Sequence, residues 1–262
     1  MDDTPRPAPR SRGIYLLPNL LTTGGMFSGF YAILAAASGH FENACIAVFI
    51  AAMFDGIDGR IARMTGTSTE FGVQYDSLAD LVSFGMAPAL VMYHWALASL
   101  RDDSIAIGKA GWAASFLYAA CAALRLARFN TQVGVVDKRW FIGLASPAAA
   151  AVMMSFVWTM VDLHYTGQEL RYVALVLTIC SGLLMVSRLR YTSFKGGKSN
   201  PSPPGERVPF MLLIGIIVAI VAIYVYPPRL LLAISGLYAI SGPALWAWHR
   251  LRRRRDSNQG AA

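Results

Sequence analysis

The chain has 262 residues, of which 55% are hydrophobic and only 15% are charged, and its mean hydropathy is +0.46. This composition excludes an ordinary soluble domain, and repeated apolar runs of about 20 residues predict an all-α, polytopic integral membrane protein. The formal net charge is +8. The cations lie between the apolar runs and at the chain ends, which favours orientation in a membrane and contact with anionic lipids over nucleic-acid binding.

Eight apolar segments follow a polar, Pro-rich stretch at residues 1–13, which is typical of a flexible cytoplasmic tail. The predicted membrane helices are 14–37, 41–63, 71–100, a fourth that ends near Asn130, 141–161, 172–186, 208–226 and 230–248. The first carries a stripe of small residues, Gly24, Gly25, Ser28 and Gly29. This stripe would let another helix approach closely or, alternatively, would open the backbone beside a nucleotide.

Basic residues fall on alternate loops and on the carboxyl-terminal tail, with few cations on the loops between them. The positive-inside rule therefore places both termini, and the loop between the second and third helices, in the cytoplasm. We predict a six-helix core domain at 14–196, a linker at 197–207, a terminal transmembrane hairpin at 208–250 and a basic cytoplasmic tail at 251–262.

Four carboxylates lie at the cytoplasmic ends of the second and third helices, as the pairs Asp55/Asp58 and Asp76/Asp80. Residues three or four apart share a helix face, so each pair points in one direction and the two pairs can face each other. Carboxylate oxygens suit hard cations such as Mg²⁺, Mn²⁺ or Ca²⁺, and two pairs indicate a two-metal site.

Intramembrane aspartates also occur in ion carriers, so a divalent-cation transporter is the alternative from a different class. Transporters commonly place their site at the midplane between two repeats. Here the carboxylates lie in one hairpin near one membrane face, and the second half of the chain has no matching acidic pair. This arrangement favours an enzyme.

The carboxylates also belong to a longer pattern. Asp55, Asp58-Gly59, Ala62-Arg63, Gly72, Asp76 and Asp80 match D-x2-D-G-x2-A-R-x8-G-x3-D-x3-D at every fixed position and spacing. This pattern resembles the signature of the CDP-alcohol phosphotransferase family, and the resemblance extends from about residue 14 to 196. It implies a homodimeric enzyme in which Asp55, Asp58, Asp76 and Asp80 hold two Mg²⁺ or Mn²⁺ ions. It also implies that Asp80 serves as the general base.

The resemblance further implies a site for a CDP-linked lipid. Its predicted residues are Asn19, Thr22, Asp58, Gly59, Arg63, Ser68 and Gly72. Gly59 and Gly72 leave room for a nucleotide beside the metals. Arg63 lies one turn beyond Gly59, where it would reach a phosphate or, alternatively, anchor the helix at the membrane surface.

Three further stretches, 83–89, 125–130 and 187–195, resemble the phosphatidylserine synthases of that family. They imply transfer of the phosphatidyl group from CDP-diacylglycerol to L-serine, at the cytoplasmic face of a bacterial inner membrane. Arg125, Arg128 or Lys138 would pair with the serine carboxylate, with Asn130 hydrogen-bonding nearby. The same cations would suit the phosphate of glycerol 3-phosphate or inositol phosphate, and the two arginines would alternatively serve only as membrane anchors.

Overall fold

The computed structural model describes residues 16–65, 69–132, 140–187, 189–192 and 226–259. Helices dominate these ranges, which confirms the predicted helical class. The α-helices are α1 Leu16–Ala37, α2 Phe41–Thr65, α3 Glu70–Asp80, α4 Ala87–Trp95, α5 Ile105–Gln132, α6 Ser146–Asp162, α7 Arg171–Val186 and α8 Pro227–Gln259. A π-helix, Leu81–Met86, joins α3 to α4, and a 3₁₀-helix, Leu97–Asp102, follows α4.

Three helices within the described ranges are long and apolar enough to cross a membrane, namely Leu16–Ala37, Ile105–Thr131 and Pro227–Trp248. They fit the predicted membrane protein. The predicted helix at 208–226 lies outside the described residues apart from Tyr226, so a total of eight spans stays a prediction. Helix α8 continues to Gln259, through most of the segment that was predicted to be a tail.

The third predicted helix contains a π-helical turn, because one proline interrupts its α-helical hydrogen-bond pattern. Pro88 has no N–H to donate to the carbonyl of Phe84, and a proline ring clashes with the carbonyl four residues before it. The chain widens into the π-helix just before this point, where the Ala87 N–H donates to the carbonyl of Val82, five residues earlier. The predicted helix over 71–100 is helical without a break from Glu70 to Trp95, and after one residue the 3₁₀-helix follows, so the sequence missed only the π-helical turn inside it.

The fifth predicted helix begins later than residue 141, because the chain first forms a short strand. Strand β1, Trp140–Ile142, pairs in antiparallel fashion with β2, Arg190–Thr192, a segment that directly follows α7. Gly143 then takes a φ of +83°, a conformation that favours glycine, and its N–H donates to the carbonyl of Leu189 at 2.8 Å. Helix α6 begins at Ser146. These two strands are the one departure from an all-α fold in the described residues.

Helix α1 packs closely against α2, α4 and the π-helix. A Cβ on Gly29 would lie 2.7 Å from the Cα of Ser83, and one on Gly25 would lie 3.4 Å from the Cβ of Phe54. The small-residue stripe therefore does allow close helix packing, as the sequence predicts. This packing brings the ends of α1, α2 and α3 together on one side of the molecule, around the signature carboxylates.

Candidate active site

Three of the four signature carboxylates converge where α2 approaches α3. Carboxylate oxygens of Asp55, Asp76 and Asp80 all lie within 4.8 Å of one another, and the three residues are half-buried. Helix α3 is started by Thr69, whose hydroxyl accepts the N–H of Gly72 at 3.0 Å. From that cap, helical spacing places Asp76 and Asp80 one turn apart on the face that meets α2.

Asp58 lies outside this group of three but beside it. It is only 4% exposed, and its Oδ2 accepts a hydrogen bond from the Thr22 hydroxyl of α1 at 2.8 Å. The Pro18 carbonyl oxygen lies 3.0 Å from the same hydroxyl. Thr22 was predicted to bind the CDP-lipid, and the structure places it as a partner of Asp58.

The four carboxylates line a single cleft. Its remaining walls come from α1, α2, α3 and the π-helix, through Thr22, Gly25, Met26, Ala51, Ala79, Ser83 and Phe84. The site therefore lies between three helices, with charge on two of them and small or apolar side chains around it.

This group of carboxylates fits a divalent metal ion. All its donors are carboxylate oxygens, the ligand type that Mg²⁺, Mn²⁺ and Ca²⁺ prefer. The ion pairs among the described residues join Arg171 to Asp103 at 2.6 Å and Arg229 to Asp162 at 3.1 Å, so none of them neutralises the cleft. Converging half-buried carboxylates without a paired cation are costly, and bound cations would relieve that cost.

The residues predicted to bind the CDP-lipid gather near the cleft. The Oδ1 of Asn19 lies 3.5 Å from the position that a Cβ on Gly72 would take. A guanidinium nitrogen of Arg63 lies 3.8 Å from the corresponding position on Gly59, so Arg63 folds back along its own helix. Ser68, the remaining predicted residue, lies outside the described residues.

Arg125 and Asn130, two of the predicted acceptor residues, contact different neighbours in the described part of the chain. Nη1 of Arg125 donates to the Ser146 hydroxyl at 2.9 Å, and its buried Nε has no hydrogen-bond partner in the described part of the chain. Its guanidinium is close enough to Asp80 to interact electrostatically. Asn130 instead contacts the outer side of α3, where its Nδ2 lies 3.0 Å from the Ser77 hydroxyl.

Arg128 is half-buried one turn after Arg125, and Lys138 lies outside the described residues. No feature of the sequence singles out Ser146 or Ser83 as individual residues. The Ser83 hydroxyl donates to the Gly25 carbonyl at 3.2 Å and so ties the wall of the cleft to α1. Its only sequence signal is its place in the stretch 83–89.

Comparison with known proteins identifies the family. The model of the CDP-alcohol phosphatidyltransferase family matches residues 15–180. A CDP-diacylglycerol–serine O-phosphatidyltransferase of Helicobacter pylori is 34% identical, over 95% of this chain and 98% of the relative. The protein of that name in Methanocaldococcus jannaschii is 30% identical, over 88% and 94% of the two chains.

An archaetidylserine synthase of Methanothermobacter thermautotrophicus is 35% identical, over 69% of this chain and 71% of the relative. The family model covers the helices that form the cleft, and the full signature lies inside it. The chain therefore belongs to the CDP-alcohol phosphatidyltransferase family and is an integral membrane enzyme of that family.

Proposed function

We propose that this enzyme transfers the phosphatidyl group of CDP-diacylglycerol to the hydroxyl of L-serine and releases CMP. The observation that carries the proposal is the convergence of Asp55, Asp76 and Asp80 in a cleft that no ion pair among the described residues neutralises. Relatives that are similar over nearly the whole chain bear the name of this activity. The donor and the acceptor are both part of the proposal.

Asp55, Asp58, Asp76 and Asp80 would hold the divalent ions, Mg²⁺ or Mn²⁺. When bound, such ions neutralise the pyrophosphate and polarise the phosphorus that is attacked. Thr22 contributes by donating to Oδ2 of Asp58, which helps to hold that carboxylate in place. The protein thus fixes the carboxylates before the substrate arrives.

Asp80 is proposed to act as the general base. It accepts the proton of the serine hydroxyl while the serine oxygen attacks the lipid-side phosphorus. The bond from that phosphorus to the CMP oxygen breaks, and CMP leaves with the bonding electron pair. One proton and one phosphatidyl group change partners, so the step is balanced without a further reactant.

The two ends of the CDP-lipid would be positioned by different residues. Gly59 and Gly72 present only backbone near the cleft, and Asn19 lies next to Gly72. Arg63 lies over Gly59, where a guanidinium can pair with a phosphate. Ser68 would act in the same region.

For the acceptor, Arg125 is the favoured partner of the serine carboxylate. Its Nη1 is fixed by Ser146 while the Nε has no partner among the described residues, and Arg forms forked hydrogen bonds with carboxylates. Arg128, Asn130 and Lys138 are further candidates. Because a guanidinium also binds phosphate, a phosphorylated alcohol such as glycerol 3-phosphate or inositol phosphate is the second candidate acceptor.

The proposed arrangement in the membrane follows the charge pattern of the chain. Eight membrane spans would place both termini and the carboxylates at the cytoplasmic side of a bacterial inner membrane. The exposed apolar side chains of α1 and α5, including Phe27 and Phe116, would face lipid or the second copy of a homodimer. A divalent-cation transporter stays the alternative from another class.

The proposal is tested by CMP release from CDP-diacylglycerol by the purified protein in nanodiscs. Serine, glycerol 3-phosphate, inositol phosphate and no acceptor are compared, each with Mg²⁺, with Mn²⁺ and with a chelator. We expect serine-dependent and metal-dependent release together with a new aminolipid. Release only with a phosphorylated alcohol would reject serine, and no release from folded protein that binds metal would reject the transferase.

A further inference from the structure

The π-helix Leu81–Met86 begins at the residue after Asp80, so its shape sets how Asp80 is presented to the cleft. A π-turn holds one extra residue, and one residue corresponds to about 100° of rotation around a helix axis. If this turn relaxed to an α-helix, Asp80 would rotate by about that angle relative to α4. The Asp80 carboxylate would then leave the position in which it meets Asp55 and Asp76.

Two neighbouring helices hold the π-helix in place. On the side of α1, the Ser83 hydroxyl donates to the Gly25 carbonyl at 3.2 Å, and Gly29 allows the backbone at Ser83 to approach. On the side of α5, a Cβ on Gly85 would lie 3.1 Å from the Cβ of Ala122. The segment is therefore packed tightly from both directions.

Tyr118 of α5 provides the polar contact on that second side. Its side chain is fully buried, and its hydroxyl donates to the carbonyl of Phe84 at 3.1 Å. This is the carbonyl whose α-helical donor would be residue 88, a proline without an N–H. A buried carbonyl without a hydrogen-bond donor is costly. The Tyr118 hydroxyl is the donor that replaces the N–H missing from Pro88.

We propose that Tyr118 is a positioning residue for the transfer reaction, which acts through the π-helix to fix the Asp80 carboxylate against Asp55 and Asp76. Tyr118 does not line the cleft and is not a catalytic residue. The proposal rests on the proposed function, because it assigns Asp80 a part in the reaction. It also gives the stretch 83–89 a role. Pro88 has no N–H for the Phe84 carbonyl, and the Tyr118 hydroxyl donates to that carbonyl instead.

The chain contains a second contact of the same kind, which provides a matched control. The hydroxyl of Tyr191, also fully buried, donates to the carbonyl of Ala239 at 3.1 Å. Residue 243, four positions later in α8, is again a proline. Around Pro243, α8 remains α-helical, and none of the four signature aspartates lies next to this part of the sequence.

The experiment compares Tyr118→Phe with Tyr191→Phe in the full-length protein. Each substitution removes one hydroxyl from a buried carbonyl, so both should lower the melting temperature by similar amounts. We expect Tyr118→Phe to lower kcat by roughly 10-fold to 100-fold, because small misplacements of a reacting group carry such costs. The KM for CDP-diacylglycerol should change little, and Tyr191→Phe should keep kcat within about twofold of the unsubstituted protein. Equal kcat values for the two variants would overturn the proposal.

A second measurement separates this proposal from the proposed function. Mn²⁺ binding is followed by electron paramagnetic resonance without any substrate, so it does not depend on the acceptor. Weaker Mn²⁺ binding by Tyr118→Phe than by Tyr191→Phe supports the positioning role even if serine proves not to be the acceptor, and equal binding contradicts it. If Tyr118→Phe does not fold, Ser83→Ala takes its place, because it removes the hydrogen bond on the opposite side of the π-helix. The kcat and the Mn²⁺ affinity of Ser83→Ala, compared with those of Tyr191→Phe, then decide whether the π-helix positions Asp80.

Discussion

The α2–α3 hairpin and the α6–α8 contact both bury polar side chains. At the α6–α8 contact these are hydrogen-bonded hydroxyls, whereas in the hairpin they are carboxylates that converge. Between α6 and α8, the hydroxyls of Ser155 and Ser235 lie 3.2 Å apart, and the Tyr191 hydroxyl is bonded to a carbonyl of α8. In the hairpin, the carboxylates of Asp55, Asp76 and Asp80 meet one another, and no ion pair among the described residues includes them.

This difference separates side chains that stabilise helix packing from side chains that serve the reaction. Hydroxyl pairs that satisfy each other add a modest stabilisation to a contact between helices. Carboxylates gathered inside a membrane domain are expensive and are retained for function. We therefore expect substitutions in the hairpin to affect turnover more than stability, and substitutions at the α6–α8 contact to do the reverse.

The largest expected effect is that of Asp80→Asn. The amide keeps the size of the side chain but cannot accept the serine proton, so turnover should fall by roughly 10²-fold to 10⁴-fold. Binding of CDP-diacylglycerol in the presence of Mn²⁺, measured by calorimetry, should persist. Asp162→Asn is the control, because Asp162 makes an exposed ion pair with Arg229 and should leave turnover unchanged. Near-normal turnover by Asp80→Asn would exclude Asp80 as the base.

Arg125→Gln should act mainly on the acceptor. Loss of charge-assisted hydrogen bonds is expected to raise the KM for serine by roughly 10-fold to 100-fold, with a smaller effect on the KM for CDP-diacylglycerol. Steady-state kinetics with each substrate varied in turn measure the two values. Arg229→Gln removes another arginine, in the exposed ion pair with Asp162, and should leave both values unchanged. If Arg125→Gln raised both KM values equally, a dedicated acceptor role would be refuted.

Thr22→Val should have an intermediate effect on the metal site. The substitution removes the hydroxyl that donates to the buried carboxylate of Asp58, at a cost of about 1–3 kcal/mol. We expect weaker Mn²⁺ binding and a turnover reduced roughly tenfold at limiting metal. The matched variant is Thr23→Val, since the Thr23 hydroxyl is exposed and bonds to Tyr75 and to the carbonyl of Asn19. Equal Mn²⁺ affinities in the two variants would show that the contact between Thr22 and Asp58 does not support the metal site.

The smallest effect on chemistry is expected at the α6–α8 side, for Gly242→Ala. A Cβ there would overlap the ring of Tyr191, and overpacking of this kind should lower the melting temperature by roughly 3–10 °C. For Gly236→Ala on the same helix, no atom of the described residues lies within 4 Å of the new Cβ, so the melting temperature should be unchanged or slightly raised. The kcat of the folded protein should be unchanged in both. A loss of kcat in Gly242→Ala alone would show that α8 takes part in the site.

Much of the fold could be predicted because its signals are local. Runs of apolar residues predict helices, and the predicted bounds of the second and sixth helices agree with α2 and α7 to within a few residues. Two departures from the predicted helices have one kind of cause. Pro88 and Gly143 each interrupt the α-helical hydrogen-bond pattern, and in both places a partner from elsewhere in the chain completes the new conformation.

The sequence by itself determined the membrane class, the family and the four aspartates at fixed helical spacing, because these depend on residues close together along the chain. The tertiary structure decided which three carboxylates meet, that Thr22 holds Asp58, and that Tyr118 holds the helix behind Asp80. Thr22 and Asp58 are 36 positions apart, and Phe84 and Tyr118 are 34 positions apart. The converging carboxylates lie on two different helices. Such pairs are set by how helices pack against one another, and the spacing of residues within a single helix does not contain that information.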